Sequence, residues 1–334
     1  MNEITANEHP YSRLIPDAVL AAIEAEGISC NGQLLALNSY ENRVYQIGVE
    51  DNDPIIAKFY RPERWSDDAI LEEHAFSIEL ADREIPVIAP NASSQGKTLY
   101  CHQGFRFALY KRKVGRWPEL DNFDNLRLLG RFIARIHAVG ALSEFKFRAE
   151  LTIASHAEKS FRFIMDGDFL PSHVIDSYSS TVQHVIERVK TIFAIAGHLR
   201  SIRLHGDCHP GNILWTSNGP HFVDFDDCIM GPAIQDLWML LSGERHEMES
   251  QLVPLIEGYR EFFEFDSLEL IVIEALRSIR LLSYSAWLAR RWVDPAFQQN
   301  FPWFNTPRYW EEQINILKEQ LAIMDEPPLE LFAA

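Results

Sequence analysis

The chain of 334 residues carries 48 Asp and Glu against 31 Lys and Arg, a formal net charge of −17, with 47% hydrophobic and 24% charged residues. That length suits two folding units, and the apolar fraction supports a large core without disulfide staples. Such acidity argues against nonspecific nucleic-acid binding, which needs clustered Lys and Arg to displace counterions, although a nucleotide needs only a local positive site. The four cysteines, Cys30, Cys101, Cys208 and Cys228, form no CxxC pair, which disfavours a zinc ribbon and suits the reducing cytoplasm. The opening MNEITANEHPYSRL lacks the basic start and apolar run of a signal peptide, and no apolar run reaches about 18 residues, so neither export nor a membrane span is expected.

In chain order, residues 1–12 read as a loose tail. PDAVLAAIEAEG has helical spacing and ends at Gly27, a C-cap residue. GQLLALNSYENRVYQIGVE and PIIAKFYRPERW read as strands, β-branched and aromatic residues between turn signals. Residues 66–85 read as a helix capped by Ser66, with acidic residues in its first turn to complement the helix dipole. VIAP, KTLYCHQ and FRFALYKRK follow as short strands. Beyond residue 120 long helical patterns dominate: NFDNLRLLGRFIARIHAVGAL, SHVIDSYSSTVQHVIERVKTIFAIAGHL and DSLELIVIEALRSIRLLSYSAWLARRW. Only NILW and HFVDF read as strands there. The expectation is an α+β chain, with a β-rich N-lobe over residues 13–115 and a helical C-lobe over residues 116–330.

RLHGDCHPGNILW, residues 203–215, concentrates the chemistry. Its Gly and Pro content rules out a helix, so Asp207 and Asn212 sit on a loop five residues apart. A hairpin of NILW and HFVDF through the TSNG turn would return Asp224 close to Asn212. Oxygen donors in that pattern suit Mg²⁺, which binds through one or two carboxylates and completes its shell on phosphates. Asn212 and Asp224 are the natural ligands, and Asp207 is left to orient or deprotonate a hydroxyl.

The spacing His205-x-Asp207-x-x-x-x-Asn212 resembles the catalytic loop of the protein-kinase-like superfamily, and the HGD form with His209 resembles its aminoglycoside phosphotransferase and choline kinase branch. FVDFDD stands where that superfamily has its metal-binding Asp-Phe-Gly, with Asp226 in place of the Gly. The resemblance asks for a strand lysine paired with a helix glutamate to hold ATP phosphates. Lys58 and Glu73 fill those places, with Glu72 a rival about 100° around the helix. The turn LNSYENRVY, where a glycine-rich loop should cover the phosphates, contains no Gly, leaving Ser39, Glu41 and Asn42 to offer hydroxyl or backbone groups.

Taken with KFYRPERW, ILEEH, GPAIQDLWMLL, LARRWVDPAF and NFPW, these blocks resemble the bacterial stress response kinase A family over residues 12–330. The resemblance implies a bilobal, aminoglycoside-phosphotransferase-like fold and an ATP- and Mg²⁺-dependent Ser/Thr protein kinase. It implies a cytoplasmic monomer acting on a protein or on itself, with no nucleic-acid or membrane partner. By motif position it implies Asp207 as catalytic base, Asn212 and Asp224 as Mg²⁺ ligands, and Ser39 at the ATP phosphates.

Blander roles compete. His205 can brace the loop from the core, and His209 can pack or line the site. Asp236 in AIQDLW is read as a structural acid that hydrogen-bonds the catalytic-loop backbone. Arg277, Arg280, Arg290 and Arg291 read as the solvated edge of an amphipathic helix or, more sharply, as an acceptor-docking surface, with Trp287 and Trp292 in the core. A small-molecule kinase of the aminoglycoside, choline or homoserine type would use the same loop, and a non-catalytic nucleotide-binding module could retain it.

Overall fold

The computed structural model describes residues 9–331. In chain order the elements are α1 (Pro16–Glu24), β1 (Cys30–Ala36), β2 (Arg43–Val49), β3 (Asn52–Phe59), α2 (Asp67–Asp82), β4 (Tyr100–His102), β5 (Phe105–Lys111) and α3 (Phe123–Gly140). There follow α4 (Lys159–Asp166), α5 (Ile175–Ala196), β6 (Ile202–Leu204), β7 (Ile213–Thr216), β8 (Gly219–Phe222) and β9 (Ile229–Gly231). The chain ends with α6 (Ile234–Trp238), α7 (Arg245–Arg260), α8 (Ile273–Arg291), α9 (Pro295–Asn300) and α10 (Pro307–Ile323). It divides into two compact units, and the division is not a single cut. Lys146–Arg148 and Gly211–Asp226 cluster with the residues up to Pro118, so Asn212 and Asp224 pack with the first unit rather than with the helical segment that surrounds them in sequence.

The first unit is built on an antiparallel sheet in the order β1-β2-β3-β5-β4. Alternation along β3 sends Ala57 and Phe59 into a core with Tyr11, Val19, Ile23, Ile47, Phe105 and Phe107, leaving Lys58 for the opposite face. Tyr11 corrects the expectation of a tail reaching residue 12: its ring stacks on Phe105 and its hydroxyl donates to the Phe59 carbonyl at 3.2 Å. Residues 1–8 of that expected tail lie outside the described residues. Ser66 caps α2 as its sequence predicts, its hydroxyl accepting from the Ala69 N–H. VIAP forms no strand; Val87 and Pro90 make isolated bridges, because Pro86 and Pro90 supply no N–H to a ladder. β7 and β8 form the expected hairpin.

The second unit is helical, with β6 and β9 as a two-stranded ribbon the sequence did not signal. α3 crosses α7 at backbone contact: a Cβ on Gly130 would lie 2.0 Å from the Leu255 carbonyl oxygen, and one on Gly258 would lie 2.0 Å from that of Arg127. Only glycine permits that approach. Two stretches expected as continuous helix begin otherwise, Ser172–Val174 and Ser267–Val272 being 3₁₀ turns that lead into α5 and α8. Ile153–Glu158 forms a π-helical turn before α4, capped by Thr152 and Ser155.

Candidate active site

Lys58 is buried in β3 between Val44 of β2 and Ala108 of β5. Its ammonium lies 3.3 Å from Glu73 Oε1, 2.9 Å from Asp224 Oδ1 and 3.4 Å from Asp226 Oδ1. Burial alone would depress its pKa, but Asp224, Asp226 and Glu73 outweigh it and hold the group well above an ordinary lysine. The Glu73 carboxyl is pushed up to about 7 by burial against the pull of Lys58. Between the two rival glutamates the geometry is decisive. Glu73 faces Lys58, whereas Glu72 turns to the backbone N–H groups of Lys146, Phe147 and Arg148, accepting at 2.6, 2.8 and 3.0 Å.

Asn212 ends a 3₁₀ turn, and its carbonyl accepts from Val223 N–H at 3.0 Å, so the hairpin sets Asn212 beside the chain leading into Asp224. Asp224 occupies the left-handed region at φ 61°, and its side chain stays 47% exposed. A carboxylate half open to solvent, with an asparagine leading into the neighbouring strand of the hairpin, offers oxygen ligands of the type that fit a hard cation sharing phosphate oxygens. Among the described residues no group of three or more His, Cys, Asp or Glu side chains is arranged to hold a metal by itself. Cys208 is buried, and that burial pushes its thiol up.

Asp226, in the place of the superfamily's Gly, is buried. It pairs with Lys58 and Arg64, accepts from Asn42 Nδ2 at 3.1 Å, and its carbonyl receives the Arg148 guanidinium. Burial would raise its pKa; Lys58, Arg64 and Arg148 reverse that and hold it ionised well below the usual range. The turn LNSYENRVY thus contributes Asn42 as a brace, bound also to the Arg61 N–H at 3.1 Å, and Glu41 as the partner of Arg61 at 3.0 Å. Ser39 lies half-buried in the same turn, and no hydrogen bond joins it to this cluster.

In the second unit Asp207 carries its own partners. Arg280 of α8 donates to Oδ1 at 2.7 Å, and His209 Nε2 lies 3.4 Å from Oδ2. Burial alone would raise the Asp207 pKa, but His209 and Arg280 outweigh it and keep the carboxylate charged far below its usual range. The backbone around it is fixed from below. Asp236 accepts from the N–H groups of His205 and Gly206, each at 2.8 Å, and His137 Nε2 lies 3.0 Å away. Gly206 stands at φ 84°, where a Cβ would come within 2.2 Å of the Asp227 carbonyl oxygen. His205 is fully buried and braces the loop, its Nδ1 accepting from the Asp207 N–H at 3.3 Å. Trp287 and Trp292 are half-buried rather than core, packed on Phe297 and Phe304.

Arg280, one of the basic-edge residues, reaches Asp207 from 73 positions away, a bond that no local spacing signals. For Arg64 and Arg148 the only signal in the sequence is a buried acid, Asp226, that needs countercharge.

Residues 33–271 match the model of the phosphotransferase enzyme family. Stress response kinase A of Salmonella choleraesuis is 44% identical over 329 residues, covering 97% of this chain and 98% of that protein. The serine/threonine protein kinase RdoA of Salmonella typhimurium is similar to the same extent, and stress response kinase A of Escherichia coli K12 is 44% identical over 96% of this chain and 97% of its own length. Among solved structures, amicoumacin kinase hAmiN superposes with a TM-score of 0.71 at 20% identity, covering 95% of this chain and 96% of that one. A spectinomycin phosphotransferase superposes with a TM-score of 0.62 at 17% identity, over 93% and 94%. No helix among the described residues is long and apolar enough to cross a membrane. With its antiparallel sheet, its helical second unit and near-full-length kinship, the chain belongs to the stress response kinase A family, within the phosphotransferase enzyme family.

Proposed function

We propose that the protein is an ATP- and Mg²⁺-dependent Ser/Thr protein kinase of the stress response, working in the cytoplasm as a monomer, that phosphorylates proteins and itself. The observation that carries this reading is Lys58, buried and held at once by Glu73 at 3.3 Å and Asp224 at 2.9 Å. A lysine fixed that way is prepared to hold ATP phosphates, as phosphoryl transfer requires. Asn212 and Asp224 would hold Mg²⁺, which neutralises phosphate charge. The Ser39 turn would lie over the phosphates through hydroxyl or backbone groups.

Asp207, held ionised by Arg280 and His209, stays an acceptor over the whole physiological pH range. Its part is to orient the incoming hydroxyl and receive its proton as the phosphoryl group transfers. Asp226 is assigned no metal; its Oδ2 is bound by Arg64 and Asn42, and its Oδ1 lies 3.4 Å from the Lys58 ammonium.

Labelled ATP with Mg²⁺, using the wild type and Asp207→Asn, tests the proposal. Acid-stable label on the chain or a protein acceptor should fall at least about a hundredfold in the variant while nucleotide binding persists. ADP release stimulated only by a small hydroxyl compound would favour a small-molecule kinase. ATP binding without any turnover would leave a binding module.

A further inference from the structure

α8 does two jobs on two faces. Ala275, Ile279, Leu282, Ala286 and Ala289 are buried in the core of the second unit. The other face carries Arg280, Tyr284, Trp287, Arg290 and Arg291 within an arc of about 120°, from the 100° step of a helix. It starts at Asp207, through the 2.7 Å bond from Arg280. At its far end the exposed Arg290 guanidinium stacks 4.6 Å over Phe163 of α4. Lys159, also exposed, opens α4 after the π-helical turn, which Ser283 of α8 contacts through the His156 carbonyl at 3.4 Å. Neither Lys159 nor Arg290 has a carboxylate within ion-pair distance among the described residues. Both lie near enough to His156 to disfavour its protonation, after burial.

Most of the surface of a chain with net charge −17 repels an acidic polypeptide. Two cations with no carboxylate partner among the described residues, Arg290 on this face and Lys159 beside it, on a surface beginning at the carboxylate that receives the acceptor hydroxyl, are a local reversal of that field. π-Helical turns are rare and are frequently found at functional sites, and this one borders the same surface. Resting on the kinase reading above, we propose that this face of α8, with Lys159 at its side, docks an acidic segment of the protein substrate. From Arg280 to Arg290 is ten residues, about 15 Å of helix. An extended peptide covers that in about four to five residues. The preferred substrate therefore carries Asp or Glu about four to five residues from the phosphorylated Ser or Thr. Exposed Tyr284, stacked on Trp287 at 5.7 Å, gives the intervening residues an aromatic platform.

The test uses full-length protein and two synthetic peptides, each with one Ser, carrying either Glu or Lys five residues to each side. The wild type should show a KM for the Glu peptide about tenfold or more below that for the Lys peptide, with the gap closing at high salt. Arg290→Glu and Lys159→Glu should each lose the preference with kcat, the KM for ATP and peptide-free ADP release unchanged, and Arg290→Lys should keep it. An undiminished preference in both charge-reversed variants would overturn the proposal. So would competition by a single-stranded oligonucleotide as effective as that by the Glu peptide, which would make the surface a nucleic-acid site. Peptides labelled equally whatever their charge would sink the docking surface and leave the kinase reading intact; absence of any ADP would sink both.

Discussion

Asp236 never needs to touch a reacting atom to govern Asp207. Its two oxygens hold the N–H groups of His205 and Gly206, and the imidazole of His137 fixes its orientation. Replacing it with Asn turns one acceptor into a donor facing an N–H, which leaves a buried donor unsatisfied. Asp236→Asn should lower stability by about 2 kcal/mol and reduce turnover more than nucleotide affinity. Denaturant melts and steady-state kinetics measure both, and unchanged kcat in a folded variant would remove Asp236 from the positioning role. The same scale explains what the sequence revealed. His205 and Asp207 share one loop and Asn212 and Asp224 one hairpin, so local spacing made each pair legible. Arg280 reaches Asp207 from a helix 73 residues on, and no local pattern distinguishes it from Arg277, which pairs with Glu274 instead.

At the scale of elements, α2 is held at two neighbouring residues with opposite tasks. Glu73 points to Lys58, and Glu72 collects three consecutive backbone N–H groups from residues 146–148. Arg148, in that captured strand of chain, stacks over Trp65 at 4.1 Å and binds the Asp226 carbonyl. Glu72 is thus the tie that keeps α2 and the Asp226 network in one arrangement within the first unit. Glu72→Gln keeps one oxygen acceptor and loses the charge; it should cost about 2 kcal/mol, since bonds to charged groups are the stronger ones. Hydrogen exchange should quicken at residues 146–148 and along α2, and protection as high as in the wild type would refute the tie. The helices and long strands were legible because their apolar spacing runs over several turns. β6 and β9, three residues each, are too short to alternate, and the 3₁₀ openings of Ser172–Val174 and Ser267–Val272 share the composition of the helices they lead into.

For the whole molecule, buried ionisable groups set opposing slopes of stability with pH. Burial lowers the His74 pKa to about 3, so His74 favours the folded state above the ordinary histidine range and that contribution is lost as pH falls from about 6.5 toward 3. Burial raises Glu269 to about 7 although it accepts the Ile234 N–H at 2.7 Å, so its contribution is lost as pH rises from about 4.5 to 7. Glu269→Gln keeps the acceptor and removes the ionisation. The variant should gain up to about 3 kcal/mol over the wild type at pH 8 and little at pH 4.5. Urea midpoints at the two pH values read this directly, and an equal difference at both would discount ionisation of Glu269.

β9 lies against β6 at three consecutive positions, and only Pro232 and Ala233 separate it from α6. Where many enzymes of this chemistry keep a long, pliable segment that a modification can order or release, this chain has a short one already locked into a ribbon. That stretch is held by the same ladder that fixes the strand entering the Asp207 loop, so displacing it would also disturb the backbone under Asp207.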